Sequence, residues 1–403
     1  MIARNVKISG KAMVLAVALL LSSLVDEIFA TAVLLKISAI DARMSVTLFL
    51  VVTIGALMAG PLSSRLLVRI AHRRAIIFAV FLCEGSVMAL SATLFDAPHM
   101  LIFSSGLMGL LGALLWAVIM VIIADSFEGK RFDQVNSVIT TMRNLGFVTG
   151  PACTGFLFHV GFSAVVALVA AIAFLSAALC AIRWSDIFPG VTANKTETQQ
   201  QKKHNFLSGL VELLGDTRLR NRLITPLCTV FFGSVVNVGV VLYVLNMRDM
   251  GTMVFGAIGT AISTGLVLGP LALELCSIRL RTQSGLALGA LLTALGIGGI
   301  FLPWSWLGLC LGGLLLGIGN GVQNVYFNRF MKITTTEDNR EIRIPAYIFL
   351  IYCFSLASYF FGYVFDAENV VFIMHTGSIV TAVLAVFAFL LKDIQPAPKP
   401  TVA

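Results

Sequence analysis

Four ionisable side chains stand deep inside long apolar runs: Asp26 and Glu27 side by side, Glu84, and Arg143. Glu274 lies nearer the end of another such run. Ionisable groups are expensive in hydrocarbon, so each is a functional candidate by default. Low dielectric favours the protonated form of a carboxyl, and a carboxyl that loads a proton on one side and releases it on the other can couple proton flow to work. Asp26, Glu27 and Arg143 are the proton-coupling set. Adjacent residues on a helix point about 100° apart, so Asp26 and Glu27 cannot both face one spot. Arg143, about ten residues into its run, suits either an anionic group of a substrate or neutralisation of one acid. The plainer account is a structural pair between Asp26 and Arg143. For Glu84 the expected role is structural.

The uncharged polar residues supply a second set. Residues 317–326 read Gly-Ile-Gly-Asn-Gly-Val-Gln-Asn-Val-Tyr, and their Asn320, Gln323, Asn324 and Tyr326 must find hydrogen-bond partners in an apolar setting. Positions 320, 323 and 324 share one helical face. Asn237 and Tyr243 come from one neighbouring run, and Tyr352, Ser355 and Tyr359 from another. A cavity of amides, phenols and apolar walls suits a mid-sized amphiphilic organic molecule; interhelical hydrogen bonding is the alternative for each. The five histidines are isolated. No His/Asp/Glu cluster has metal spacing, and no Ser/His/Asp set or phosphate-binding glycine loop is evident. No metal and no cofactor are expected, and a polytopic membrane enzyme is a remote alternative.

These residues need elements that hold them in lipid. Of 403 residues, 58% are apolar and 12% charged, with a mean hydropathy of +0.95. Soluble domains carry roughly 25% charge, so the class is membrane. A span needs about 20 apolar residues, and the chain offers twelve: 12–36, 45–68, 75–95, 100–123, 134–158 and 162–184, then 223–247, 252–278, 283–303, 305–329, 345–366 and 369–391. Helices are the assignment, because isolated strands leave backbone groups unpaired in lipid. The expected fold is an all-α membrane protein of twelve transmembrane helices in two six-helix pseudo-symmetric bundles, 1–184 and 223–392. A cytoplasmic linker, 185–222, joins them, and a tail follows at 393–403. The linker opens polar at 185–205 and becomes amphipathic, with Phe206, Leu207, Leu210, Leu213 and Leu214 at helical spacing and then Arg218, Arg220 and Arg222, as for a helix lying on the cytoplasmic membrane face. Gly60-Pro61-Leu62 recurs as Gly269-Pro270-Leu271, and Gly109 as Gly317, a faint echo between halves.

The net charge of +8 reads as topology rather than a nucleic-acid footprint. With the N-terminus in the cytoplasm, Arg65, Arg69, Arg73, Arg74, Lys130, Arg131, Arg279, Arg281 and the cluster Arg329 to Arg343 fall inside, against Lys36, Arg43 and Arg248 outside. That is the positive-inside bias, and it places both termini in the cytoplasm. A signal peptide competes for the first run, since Ala30-Thr31-Ala32 looks like a cleavage site, but Asp26 and Glu27 directly before it disfavour cleavage. The seven cysteines are scattered singly, so neither zinc nor a disulfide framework is suggested.

Gly60-Pro61-Leu62-Ser63-Ser64-Arg65-Leu66-Leu67-Val68-Arg69-Ile70-Ala71-His72-Arg73-Arg74 resembles the loop between helices 2 and 3 of the major facilitator superfamily. Arg69, Arg73 and Arg74 match its cations, while Val68 and Ala71 replace its usual Asp and second Gly. Arg143-Asn144-Leu145-Gly146-Phe147-Val148-Thr149-Gly150-Pro151 resembles the Gly-x-x-x-Gly-Pro motif of the antiporter branch. Glycines four apart let helices approach closely, and Pro bends a helix; ordinary helix packing is the competing account. Ser23-Leu24-Val25-Asp26-Glu27-Ile28 and Leu242-Tyr243-Val244 are similar to macrolide and siderophore exporters.

The resemblance implies that Asp26 faces a central cavity. Gly60, Arg69, Arg73, Arg74, Gly146, Gly150, Pro151, Gly269, Pro270 and Glu274 are then gating and packing positions. It also implies a monomer in the bacterial inner membrane, partnered by protons, the lipid bilayer and a small-molecule substrate, with no nucleic acid. The function expected is secondary active transport, as a proton-coupled exporter of a drug, antibiotic or siderophore-like compound. Import or facilitated uptake of a small nutrient is the alternative.

Overall fold

The computed structural model describes residues 10–391, except 39, 41, 71–72, 94–96, 158–159, 184–205, 241–242, 245–246, 249, 279, 337–338 and 363–368. The polar part of the expected linker and the tail at 393–403 lie outside the described residues. So do the side chains of Arg69, Arg74 and Pro151.

Among the described residues there are thirteen α-helices. They are α1 (Gly10–Ser38), α2 (Ala42–Arg69), α3 (Arg73–Thr93), α4 (Pro98–Ser126), α5 (Gly129–Leu157), α6 (Phe162–Arg183), α7 (Phe206–Gly215), α8 (Thr217–Val240), α9 (Gly251–Leu275), α10 (Thr282–Ile300), α11 (Trp306–Ile333), α12 (Arg340–Gly362) and α13 (Val370–Leu390). Every expected span falls on one of them, and α7 is the extra, ten-residue helix of the linker. Ten are long and apolar enough to cross a membrane by length and composition. The other two long helices are α5, whose first turns carry Lys130, Arg131 and Asp133, and α6, whose apolar stretch is Phe162–Ala178.

The seventh span differs most from expectation. Its helix begins at Thr217 rather than 223, because Asp216 caps it. The Asp216 Oδ1 accepts from the amides of Arg218 at 2.8 Å and Leu219 at 3.4 Å, satisfying donors that an open helix start leaves orphaned. Arg218, Arg220 and Arg222 therefore lie on α8, not on a separate surface helix.

The helices gather into two compact units. The first takes the described parts of 1–135, 142–211 and 337–352; the second takes those of 136–141, 212–336 and 353–403. In lipid no hydrophobic force drives helices together, so close van der Waals packing at small residues must do it. Both units follow the same scheme. In one, α2 packs on α4 and α6 on α1 and α3; in the other, α9 packs on α11 and α13 on α8 and α10. The glycine echo marks equivalent contacts. A Cβ on Gly109 of α4 would stand 2.3 Å from the Val52 carbonyl of α2, and one on Gly317 of α11 would stand 1.9 Å from the Ile262 carbonyl of α9. The other echo is not equivalent, since Gly60 meets Phe349 of α12 and Gly269 meets Ile318 of α11. Side chains fill the remaining space, with Phe29, Val33, Met88, Val166 and Val169 central in the first core and Val235, Ile297, Phe301 and Met374 in the second.

Replacing Gly317 by Leu drives a side chain into backbone that cannot yield. The expected loss is about 1–3 kcal/mol, as for overpacked sites, read as a lowered thermal midpoint of the purified protein in detergent. An unchanged midpoint would contradict the close approach of α9 and α11.

Candidate functional site

Within the first unit a cavity of about 220 Å³ opens beside α1, and Asp26, Glu27, Arg143 and Tyr352 all line it. Its other walls are mostly apolar or small, among them Phe29, Val52, Met108, Gly112 and Ala113. Glycine explains how α5 delivers Arg143 to this place. A Cβ on Gly146 would lie 2.6 Å from the Ser23 Cβ, and one on Gly150 would lie 2.4 Å from the Glu27 Cβ. The Gly-x-x-x-Gly stripe therefore rests on the turns of α1 that carry the two acids. Arg143, Gly146 and Gly150 occupy one helical face, at spacings of three and four.

The Arg143 guanidinium lies over two rings, 4.2 Å from the Trp116 centroid and 4.9 Å from that of Phe147. Both distances are within the range of cation–π attraction. Asp26, Glu27 and Tyr352 are near enough for their charges to act on it, yet among the described residues no ion pair joins Arg143 to either acid. The Asp26 Oδ1 is buried with no hydrogen-bond partner. Glycine at 112 leaves room for this carboxyl, since a Cβ there would come within 3.3 Å of Oδ2. Opposite charges thus face one space without closing it.

The other polar candidates lie in the second unit. The Asn237 amide donates to the Tyr359 hydroxyl at 3.1 Å, and Ser234 to Ser355 at 3.2 Å, tying α8 to α12. Asn320 accepts from Thr293 at 3.5 Å and faces Gly233 of α8. Buried Gln323 packs over Gly289, and its Nε2 has no partner. Asn324, by contrast, is exposed. Tyr243 and Tyr326 are core residues here. The Tyr243 hydroxyl donates to the Leu302 carbonyl at 3.0 Å, and the Tyr326 hydroxyl accepts from the Leu280 amide at 3.1 Å. Tyr352 lines the first unit's cavity.

Of the expected gating set, Arg73 anchors an ion cluster. It bonds Asp125, at the end of α4, and reaches Glu341, at the start of α12, at 2.7 Å; Arg340 also bonds Asp125. Burial opposes the Arg73 charge, but Asp125 and Glu341 more than offset this and hold its guanidinium above the ordinary value. Sequence reading missed Asp125, Arg340 and Glu341; the available signal was an acid closing an apolar span on the side that holds Arg73. It also missed a buried amide group in the second unit. There Asn328 donates to Asn136 at 2.9 Å, Asn136 to the Val325 carbonyl at 3.1 Å, and Ser137 to the Pro270 carbonyl at 3.3 Å. Glu274, half-buried in the last turn of α9, lies outside these groups.

A polytopic helical bundle with a charged, half-enclosed cavity has the form of a membrane carrier. The family model of the Major Facilitator Superfamily matches residues 15–340, and the chain belongs to that superfamily: it is a multi-pass integral membrane transporter of small molecules, not an enzyme. Among solved structures it is similar to a bacterial homologue of the iron transporter ferroportin in an outward-facing state, at 16% identity and a TM-score of 0.71, over 94% of this chain and 99% of that one. The same homologue with soaked iron aligns at 14% identity and a TM-score of 0.69, over 96% and 100%. No curated protein matches.

Asp125→Ala takes one partner from Arg340 and one from Arg73, which keeps Glu341. Charged hydrogen bonds contribute about 1.5–3 kcal/mol each, so the variant should lose about 2 kcal/mol or more against Asp125→Glu in chemical denaturation. Equal stability of the two would show that the cluster contributes nothing.

Proposed function

We propose that this transporter is a proton-coupled exporter of a small amphiphilic organic compound of the drug, antibiotic or siderophore type. The observation that carries the reading is the cavity where Asp26, Glu27 and Arg143 meet without an ion pair. A guanidinium facing two acids across a cavity satisfies one of them when both are ionised, so a proton is the natural complement of the second. Ionised Asp26 offers its carboxylate in the cavity to a cationic or hydrogen-bond-donating group of the substrate, and a proton on Asp26 removes that acceptor. Binding of proton and of substrate then exclude one another, which is the requirement for exchange.

The cavity volume supports a small polar head rather than a whole large molecule. At about 220 Å³ it is below the roughly 300–1,000 Å³ of pockets that enclose drug-sized ligands. The amides and hydroxyls of Asn237, Tyr359, Ser355 and Asn320, within the second unit, are further candidates for substrate contact. The Gly146-Gly150 stripe of α5, which resembles that of antiporters, favours export over uptake. Iron, named for the similar structures, is not adopted as the substrate, because likeness at 14–16% identity is likeness of fold, and one fold serves many functions. The positive-inside charge bias supports an inner-membrane protein with both termini in the cytoplasm, and the superfamily resemblance supports a monomer.

The test is accumulation of lipophilic dyes, macrolides and siderophores in bacteria lacking their own efflux pumps. Cells with the wild type should retain less of at least one compound. Retention should rise to that of cells without the transporter under a protonophore or with Asp26→Asn. Higher retention with the wild type would replace export by nutrient uptake.

A further inference from the structure

Glu84 has no part in the cavity, yet it is the more deeply placed acid. It is 0% exposed, and neither carboxyl oxygen has a hydrogen-bond partner. Eleven residues beyond Arg73, it stands about 16 Å along α3, at a rise of 1.5 Å per residue. That is near the middle of the roughly 30 Å hydrocarbon layer.

Its surroundings leave it without a countercharge. The helices α4 and α6 pack on α3. Between Met100 and Ala124, α4 has no acid or base, with His99 and Asp125 only at its ends. The same is true of α6 from Phe162 to Leu179, ahead of Cys180 and Arg183 in its last turn. Beside Glu84, Gly85 lets the Phe174 ring of α6 close over α3, within 2.9 Å of where a Cβ would stand. From α1, the Asp26 carboxyl is near enough to repel Glu84, and on α3 itself the neighbouring group is Cys83. Arg143 acts on Asp26, Glu27 and Tyr352. An ionised carboxylate lacking both hydrogen bonds and a cation in such a place is prohibitively costly. An unpartnered neutral carboxyl costs far less.

We propose that Glu84 is a second, fully buried proton-binding site, linked electrostatically to Asp26 and through it to the cavity. The inference rests on the proton-coupled reading and adds to it a proton that the cavity alone does not account for. Repulsion prevents the two carboxyls from ionising together, so a proton held on Glu84 lets Asp26 release its own to the cavity. Two acids then share the proton load, one facing the cavity and one sealed between α3, α4 and α6.

Infrared spectroscopy of the purified protein in lipid tests this without a known substrate. At neutral pH the wild type should show a protonated-carboxyl C=O band that is lost in Glu84→Gln and in Glu84→Met. The Asp26→Asn protein should keep that band, shifted by the changed neighbour. The Met variant also checks folding, since it preserves volume without polar atoms and should melt no lower than the wild type. An identical C=O region in the wild type and both Glu84 variants would overturn the proposal. So would a band that appears only after a chelator strips divalent cations, which would make Glu84 a cation ligand. If Asp26→Asn abolishes proton-driven export but no Glu84 band exists, this inference falls and the exporter reading stands. A Glu84 band with protonophore-insensitive export would leave the proton site standing and remove the coupling.

Discussion

One guanidinium serves several buried acids, and most of the first unit is arranged around that imbalance. Charges inside hydrocarbon are stable only when compensated. Arg143 is compensated in part by the faces of Trp116 and Phe147, and in part by acids across the cavity that it does not touch. That arrangement needs α5 to lie against α1 at the turns carrying Asp26 and Glu27, which the glycines at 146 and 150 allow. A larger residue at either position would part the helices and move the arginine from the acids. Packing and electrostatics are here one design: the closeness that stabilises the pair of helices also sets the distance between the charges.

The same economy of small residues recurs in the second unit, with different chemistry. There the equivalent helix pairs pack by the same scheme, but the polar groups are amides and hydroxyls bonded to one another or to backbone. A repeat can conserve its packing while its two copies diverge in charge. One copy then offers a cavity lined by two acids and an arginine, and the other a set of neutral hydrogen-bonding groups. The Arg73, Asp125, Glu341 and Arg340 cluster ties the ends of α3 and α4 to the start of α12.

The spans were legible because length and hydropathy decide them directly. Where capping chemistry intervened, the reading slipped: Arg218, Arg220 and Arg222 look like a surface cluster until Asp216 is seen to start α8. The acid–arginine set was legible because hydrocarbon makes every ionisable group conspicuous. The partners of the tyrosines were not. Nothing in the local sequence distinguishes Tyr352, which lines the cavity, from Tyr243 and Tyr326, whose hydroxyls bond to backbone groups about 46–59 residues away. Asp125 escaped notice because an acid at the end of a span resembles ordinary interfacial charge. Glu84 was conspicuous, but its isolation depends on what α4 and α6 place around it.

Trp116 offers a direct view of the central claim, that protonation of the acids governs the state of Arg143. With Trp184, Trp304 and Trp306 replaced by Phe, the remaining indole reports the guanidinium stacked on it. Its fluorescence should change with pH in that background and become flat over the same range in Asp26→Asn/Glu27→Gln. An unchanged pH profile in the double variant would show that the arginine does not respond to these acids, and the proposed coupling would be wrong.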